Sequence, residues 1–212
     1  MMEKLFVFDL DGTLNRTDLF SVDAHQKVQA EFGWPVQSPE ELQSHFGEAN
    51  HEFMRHILPG ADEKTALRYV NRVSEVEHEY IERAAAYDGC PQLLDILHER
   101  GYRTAICSNS SYRYISMVLS AIDLMDRIDF IQPLEAGMKT KSESLGCLLK
   151  KISPEAAVMV GDTILDYQAA VDNNVPFIGC EYGFRPAEMR RLDCSVKCPL
   201  EILTLLDRVI QS

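Results

Sequence analysis

Positive charge is scarce in this sequence. Its 212 residues include 21 lysines and arginines against 33 aspartates and glutamates, which leaves a formal net charge of −12 at pH 7. A surface this acidic repels nucleic acids and anionic membranes, so we expect neither a nucleic acid polymer nor a membrane as a partner. A small anionic substrate would therefore need a local positive site, which a bound metal ion supplies.

Long apolar runs are also missing. No segment approaches the roughly 20 consecutive apolar residues of a membrane-spanning helix, and the first apolar run reaches the charged Asp9 too early for a secretory signal. The six cysteines are scattered, and their spacing does not resemble a disulfide framework. We therefore expect a cytoplasmic protein with reduced thiols. Internal repeats and low-complexity tracts are absent.

What the sequence does contain is an alternation of short apolar runs and helical patterns. The apolar runs predict strands over residues 5–8, 104–107, 129–131, 157–160 and 175–179, the last being the final strand of the sheet. Helices are predicted between them, for example over residues 112–121 and 142–152. Strands that alternate with helices predict a doubly wound, Rossmann-like α/β fold with a parallel sheet.

Residues 16–86 show a different, helical pattern. Within residues 61–86 an apolar stripe at spacings of three and four predicts a long amphipathic helix; it consists of Leu67, Val70, Val73, Val76 and Tyr80. We therefore predict an α/β core of residues 1–15 and 87–212, with an inserted all-α bundle of residues 16–86.

Carboxylates and hydrogen-bonding groups follow the predicted strands. These residues are Asp9, Asp11, Ser108, Asn109, Asp162 and Asp166. Ligands of open parallel sheets bind beyond the carboxyl ends of the strands, so we expect these side chains to meet there. Like charges at close range repel unless a cation binds them, and oxygen ligands suit Mg²⁺. Asp9 and Asp162 are the expected direct ligands. Asp166 binds the metal directly, binds it through a water, or is an outer or solvated group.

A metal at this position would let the Asp9 carboxylate act as a nucleophile that forms an aspartyl-phosphate. Asp11 lies on the same side of the strand end and is placed to act as general acid and base.

Phosphate oxygens need hydrogen-bond donors and positive charge. Thr13, Ser108 and the backbone N–H of Asn109 offer the donors, and a lysine would supply the charge. Thr140 and Glu143 have the spacing of a capping box, which predicts a helix start near Lys141 and favours that lysine, with Lys139 as the alternative.

These motifs resemble those of the haloacid dehalogenase-like hydrolase superfamily. Residues 8–14 (FDLDGTL) resemble its first motif, residues 106–109 its second, Lys141 its third and residues 160–166 its fourth. The chain departs from phosphoglycolate phosphatase-like members in having Lys-Thr-Lys where they usually carry Lys-Pro, which leaves Lys139 open.

The resemblance implies a role for each motif. Asp9 would be the nucleophile and a Mg²⁺ ligand, Asp11 the acid/base and a ligand through its backbone carbonyl, and Asp162 a ligand. Residues 16–86 would form a helical cap similar to that of the phosphoglycolate phosphatase-like members, in which residues 45–51 read the substrate. True dehalogenases of the superfamily lack the second aspartate of the first motif. Asp11 occupies that position here, which favours a phosphatase over a C–halogen hydrolase.

We therefore predict a Mg²⁺-dependent phosphatase that acts on a small phosphorylated metabolite. A phosphomutase or phosphotransferase of the same superfamily and a catalytically silent binding protein are the alternatives. Most histidines are expected at the surface, with His45 and His51 nearest to a role. Tyr112 and Tyr114 are expected to serve helix surface and packing.

Overall fold

Six parallel strands form one sheet in the computed structural model, which describes residues 4–48, 50–134 and 137–206. The strands are β1 (Lys4–Phe8), β2 (Arg103–Cys107), β3 (Phe130–Gln132), β4 (Ala156–Gly161), β5 (Phe177–Cys180) and β6 (Ser195–Val196). Their spatial order is β3-β2-β1-β4-β5-β6. In the central strand, Val7 is in register with Ala105 of β2 and with Met159 of β4. β1 is thus buried between two neighbours, which explains its continuous apolar run.

Helices cover both faces of this sheet. The helices are α1 (Ser21–Glu31), α2 (Pro39–Gln43), α3 (Asn50–Ile57), α4 (Glu63–Tyr80), α5 (Cys90–Glu99), α6 (Tyr112–Ala121), α7 (Lys141–Ile152), α8 (Ile164–Asp172) and α9 (Pro186–Met189). Strand side chains alternate, so Phe6 and Phe8 face α5 and α6, whereas Leu5 and Val7 face α7 and α8. The predicted doubly wound α/β fold is confirmed.

The helices between β1 and β2 have an apolar cluster of their own. We call residues 16–86 the helical segment. The buried members of this apolar cluster are Val22, Ala24, Val28, Leu42, Phe46, Ile57, Leu58, Tyr69, Val73 and Val76. Trp34, in the loop after α1, packs against this cluster. The division into a core of residues 1–15 and 87–212 and an insert of residues 16–86 stays a prediction.

The predicted apolar stripe of α4 is wrong in part. Leu67 is 61% exposed and Val70 is 38% exposed. The face buried against the helical cluster runs through Tyr69, Val73 and Val76. Tyr69 takes the place of Val70 in this face, and its hydroxyl lies 2.9 Å from Nδ1 of the buried His25 ring. The helix also ends at Tyr80, where a 3₁₀ turn (Ile81–Arg83) follows.

The run at residues 175–179 is not the final strand. β6 adds to the edge of β5, where the N–H of Gly179 donates to the carbonyl of Cys194 over 2.9 Å. A strand of two residues is too short to show a period of two, so the sequence pattern misses it. The predicted helix over 112–121 coincides with α6. None of the helices in the described ranges has both the length and the apolarity needed to cross a membrane.

Candidate active site

Three carboxylates meet at the carboxyl ends of β1 and β4. Asp9 directly follows β1, and its N–H donates to the carbonyl of Val160 over 2.8 Å. Asp162 directly follows β4, and Asp166 lies in the first turn of α8. All three are buried, and one oxygen from each lies within 4.8 Å of the others. The structure therefore brings three of the four predicted acidic residues together.

Tight turns fix the carboxylate of Asp162. Its Oδ2 accepts from the N–H of Phe184 over 2.6 Å. Gly12 has φ +84°, and a Cβ at this position would lie 2.3 Å from Asp162 Oδ2. Gly183 approaches from the other side, where a Cβ would lie 2.3 Å from Asp162 Cβ. The first motif thus requires glycine for its backbone conformation and for the space that the carboxylate occupies.

Both oxygens of Asp166 make contacts within the protein. Thr163 caps α8, and its N–H and hydroxyl donate to Asp166 Oδ2 over 3.0 and 2.7 Å. The other oxygen, Oδ1, forms an ion pair with Lys141 Nζ. The role of Asp166 at a metal stays a prediction.

Lys141, and not Lys139, lies among the carboxylates. Its Nζ donates to Asp9 Oδ1 over 2.6 Å, and the residue is buried, whereas Lys139 is exposed. The predicted helix start is confirmed, because α7 begins at Lys141 and the Thr140 hydroxyl accepts from the N–H of Glu143 over 3.2 Å. The reciprocal half of the capping box is not formed, since the Glu143 carboxylate accepts from the N–H of Lys139 over 2.7 Å.

Burial dominates the electrostatics of this cluster. It raises the pKa of Asp9 to about 7 against the opposing charge of Lys141. Burial also raises the pKa of Asp162 well above its usual range, and the charges of Asp9 and Asp166 add to this. Burial opposes the charge of Lys141, but Asp166 and Asp9 outweigh it and raise the pKa of the ammonium group. One lysine faces three carboxylates, so full ionisation leaves a charge that a cation would offset.

Asp11 is held by a set of donors. Its Oδ1 accepts from Thr17 Oγ1 over 2.6 Å, from Asn15 Nδ2 over 3.1 Å and from the Tyr114 hydroxyl over 3.0 Å. Its Oδ2 accepts one longer bond, 3.4 Å, from Ser110 Oγ. Oδ1 is thereby saturated, and Oδ2 is the oxygen left for proton transfer.

Sequence reasoning missed these donors. Tyr114 packs against the core, as expected, but its hydroxyl also reaches Asp11, which was not predicted. Tyr114 enters from α6, and burial together with Asp11 raises its pKa well above the usual range, which keeps it a donor. Asn15 and Thr17 lie only four and six residues beyond Asp11, and that proximity was a usable signal.

The predicted phosphate donors are placed differently from one another. Ser108 and Asn109 line the same cavity as Asp9, Asp11 and Lys141. The Asn109 side chain donates to the Gly47 carbonyl over 3.0 Å and so connects β2 to the helical segment.

The structure does not bring Thr13 to that cavity. Its hydroxyl faces Asp162 Oδ1 at 3.5 Å, and its N–H donates to the Leu10 carbonyl over 3.3 Å. The tight turn of the first motif uses both groups internally.

The cavity has a volume of about 260 Å³ and lies between the strand ends and the helical segment. Phe46, Gly47 and Glu48 of the predicted loop over residues 45–51 line it. His45 does not, but its Nδ1 contacts Glu48 Oε1 at 3.0 Å. Residue 49 and the side chain of residue 51 lie outside the described residues.

His25 is buried in the wall of this cavity and is an exception to the expectation that most histidines lie at the surface. A second cavity of about 570 Å³ beside Arg16, Tyr182 and Lys197 contains none of the clustered carboxylates.

Comparisons with known proteins agree with this arrangement. Residues 6–180 match the family model of the haloacid dehalogenase-like hydrolases. The chain is 26% identical over 207 residues to a phosphoglycolate phosphatase of Thiobacillus denitrificans, covering 91% of each protein. It is 26% identical over 208 residues to that of Nitrosospira multiformis, covering 92% of this chain and 91% of the relative. A predicted phosphatase from Clostridium acetobutylicum has the same fold, with a TM-score of 0.86 at 22% identity over 98% of this chain and 100% of that one.

Proposed function

The chain belongs to the haloacid dehalogenase-like hydrolase family and is a phosphatase of that family, and from this premise we propose that Asp9 attacks the phosphorus of a small phosphomonoester. The observation that carries the proposal is the arrangement of Asp9, Lys141 and Asp11 beyond the end of β1. Asp9 contacts the ammonium group of Lys141 at 2.6 Å, and Asp11 opens into the same cavity. A nucleophile and an acid/base separated by one residue serve opposite ends of an in-line displacement.

The reaction proceeds in two displacements. In the first, a carboxylate oxygen of Asp9 bonds to phosphorus while the bond to the leaving oxygen breaks, and Asp11 gives its proton to that oxygen. In the second, Asp11 takes a proton from water, the water oxygen bonds to phosphorus, and the bond between phosphorus and Asp9 breaks. Inorganic phosphate leaves, and both carboxyl groups return to their starting state.

Donors around the cavity support the phosphoryl group. Lys141 is charged and lies against the Asp9 carboxylate, and we propose that its ammonium group binds the equatorial phosphate oxygens. Ser108 and the backbone N–H of Asn109 are the further donors that we propose. Thr13 has no such role in this proposal, because its hydroxyl and N–H are used internally.

The residues present fit a divalent cation. Three buried carboxylates approach within 4.8 Å, one lysine is too little positive charge for them, and hard oxygen donors suit Mg²⁺. We propose that Asp9, Asp162 and the backbone carbonyl of Asp11 hold Mg²⁺, with Asp166 acting through its contacts to Lys141 and Thr163. Bound there, Mg²⁺ offsets the negative charge of the phosphoryl group.

The helical segment would act as a cap on the α/β core. Residues 16–86 cover the carboxyl ends of β1 and β2, and Phe184 of the core packs into the apolar cluster of the segment. A closed cap keeps water from the site until the intermediate has formed. The substrate is a small phosphorylated metabolite. The names of the curated relatives make phosphoglycolate one compound to test.

Hydrolysis of p-nitrophenyl phosphate, with and without Mg²⁺, tests this function. We expect Mg²⁺-dependent release of inorganic phosphate by the wild type and a loss of about 1000-fold or more in kcat for Asp9→Asn. The exposed Asp126 provides the matched control, since Asp126→Asn removes the same charge away from the cavity. If Asp9→Asn turned over the substrate as fast as the wild type, Asp9 would be ruled out as the nucleophile. Transfer of the phosphoryl group to an added alcohol and not to water would indicate a phosphotransferase.

A further inference from the structure

The side of the cavity that faces a leaving group is built by the helical segment. Phe46, Phe53, Met54 and Val73 give it an apolar wall. In the proposed mechanism the phosphoryl group lies at Asp9 and Lys141, so these side chains would contact the carbon atoms of the group to which phosphate is attached. An apolar wall favours a leaving group with carbon atoms to bury.

The charges on this wall come from the carboxyl groups of Glu48 and Glu77, and burial raises the pKa of Glu77 to about 7, so both carry negative charge above that pH. Glu48 and Glu77 line the cavity, and Glu77 is buried in α4 with its Oε1 accepting from Ser21 Oγ over 2.6 Å. Among the described residues that line the cavity, Lys141 is the only lysine or arginine, and it is already paired with Asp9 and Asp166. The wall therefore offers no cation to a second anionic group of the substrate.

The remaining nearby bases do not change this balance. Burial lowers the pKa of His25 to about 3, so its ring is neutral at pH 7. His45 and His56 contact the two oxygens of Glu48 at 3.0 and 2.9 Å and do not line the cavity. Arg185 also approaches Glu48, with its Nη2 3.8 Å from Oε1. These three groups contact Glu48, and Glu77 has no cationic partner among the described residues.

We propose that the substrate of this phosphatase is a phosphomonoester whose leaving group is a compact alcohol without negative charge, and that Glu77 excludes carboxylate-bearing leaving groups. The inference rests on the proposed function and specifies its substrate class. A carboxylate placed against this wall would lose its hydration, gain no ion pair and face Glu77. A neutral alkyl group has no charge to desolvate there, and an ammonium group gains a carboxylate partner.

A charge series of similar size, measured at pH 8.5 so that Glu77 is ionised, tests the inference. The three compounds are 2-phosphoglycolate, propyl phosphate and phosphoethanolamine, whose leaving groups carry a negative, no and a positive charge. We expect kcat/KM for the neutral and the cationic compound to exceed that for 2-phosphoglycolate by about tenfold or more. A preference for 2-phosphoglycolate, or equal values for the three, overturns the inference.

Glu77→Gln shows whether this carboxylate sets the preference. The ratio of kcat/KM for phosphoethanolamine to that for propyl phosphate should fall, and the ratio for 2-phosphoglycolate to propyl phosphate should rise, each by about tenfold. A general loss of activity or of folded protein cancels in these ratios. Unchanged ratios would remove Glu77 from the inference.

A gain of function gives an independent test. Val70 lines the cavity at an exposed position of α4, so Val70→Lys adds a cation without burying it. We expect this variant to raise the ratio for 2-phosphoglycolate to propyl phosphate, while the uncharged control Val70→Met leaves it unchanged. Hydrolysis of p-nitrophenyl phosphate distinguishes a failure of the inference from a failure of the proposed function. If that hydrolysis and its dependence on Asp9 persist while the charge preference is absent, only the inference fails.

Discussion

Lys141 is a single ammonium group shared by two buried carboxylates. It pairs with Asp9 and Asp166, and no solvent screens these contacts because all three side chains are buried. In the proposed mechanism this charge positions the Asp9 carboxylate before the reaction and binds the phosphate oxygens during it. The residue therefore links the stability of the site to its chemistry.

Lys141→Met should lower kcat for p-nitrophenyl phosphate by about 100-fold or more, because the developing charge on the phosphoryl group loses its cationic partner. Removing one partner of a buried pair should also cost about 3–5 kcal/mol in the free energy of unfolding. Urea unfolding and steady-state kinetics measure the two effects. The exposed Lys139 is the matched control, and Lys139→Met should change neither quantity appreciably. Similar losses in both variants would contradict the placement of Lys141.

Gly12 offers a second comparison of matched residues. Gly12 and Gly33 both have positive φ, +84° and +70°, so an added Cβ strains both backbones. Only at Gly12 does that Cβ meet a neighbour, Asp162 Oδ2 at 2.3 Å, whereas nothing lies within 4 Å of it at Gly33. Gly33→Ala should cost about 1 kcal/mol in the free energy of unfolding with little effect on kcat. Gly12→Ala should cost more and lower the Mg²⁺-dependent kcat, since Asp162 must move. Equal behaviour would show that strain alone matters at Gly12.

The residues that sequence analysis could find are those that follow a strand in a recognisable motif. Asp9, Asp11 and Asp162 were predicted because a parallel sheet brings the ends of its strands together. Tyr114 and Glu77 also reach the site, but they come from α6 and α4, whose packing direction is not encoded in local spacing. Thr13 shows the opposite limit, since its motif is present while its hydroxyl turns toward Asp162.

At the scale of elements, the buried and the exposed face of α4 should contribute differently to the free energy of unfolding. Val76 is fully buried in the apolar cluster of the helical segment, and Leu67 on the same helix is 61% exposed. Val76→Ala should cost about 2 kcal/mol in the free energy of unfolding, through lost burial and the cavity left behind. Leu67→Ala should change it by less than about 0.5 kcal/mol although it removes more atoms. Urea unfolding at equilibrium measures both, and a larger loss for Leu67→Ala would contradict the orientation of α4.

The elements of the sheet were easier to predict than the faces of the helices. Buried parallel strands have apolar side chains on both faces, so β1, β2 and β4 appear as continuous runs. The stripe of α4 was ambiguous because Val73 lies four residues after Tyr69 and three residues after Val70, and both spacings fit a helix face. The contact between the Tyr69 hydroxyl and His25 joins residues 44 positions apart, so local spacing does not reveal it.

At the scale of the whole molecule, Glu77 connects folding to pH. Burial raises its pKa from an ordinary value of 4.5 to about 7, against the hydrogen bond from Ser21. The folded protein therefore binds this proton more tightly than the unfolded chain between these two pH values. The stability that the protonated group contributes is complete below pH 4.5 and is lost as the pH rises through 7.

Glu77→Gln removes this titration while keeping the size of the side chain. The free energy of unfolding of the wild type minus that of the variant should fall by about 3 kcal/mol between pH 4.5 and pH 8. Urea unfolding without added metal, at several pH values, provides the measurement. Glu82→Gln, at an exposed position of the following 3₁₀ turn, should show a difference that does not vary with pH. A flat difference for Glu77→Gln would mean that the carboxyl group is hydrated in the folded protein.

The packing of Trp34 gives the molecule a built-in optical probe. It is the one tryptophan of the chain, and it lies against the apolar cluster of the helical segment and not against the sheet. Its emission therefore follows the loosening of the helical segment, whereas far-ultraviolet circular dichroism averages over every helix and strand. Coincident transitions of the two signals in urea would mean that the segment and the sheet melt as one cooperative unit. An earlier transition in emission would mean that the segment melts while the sheet stays intact.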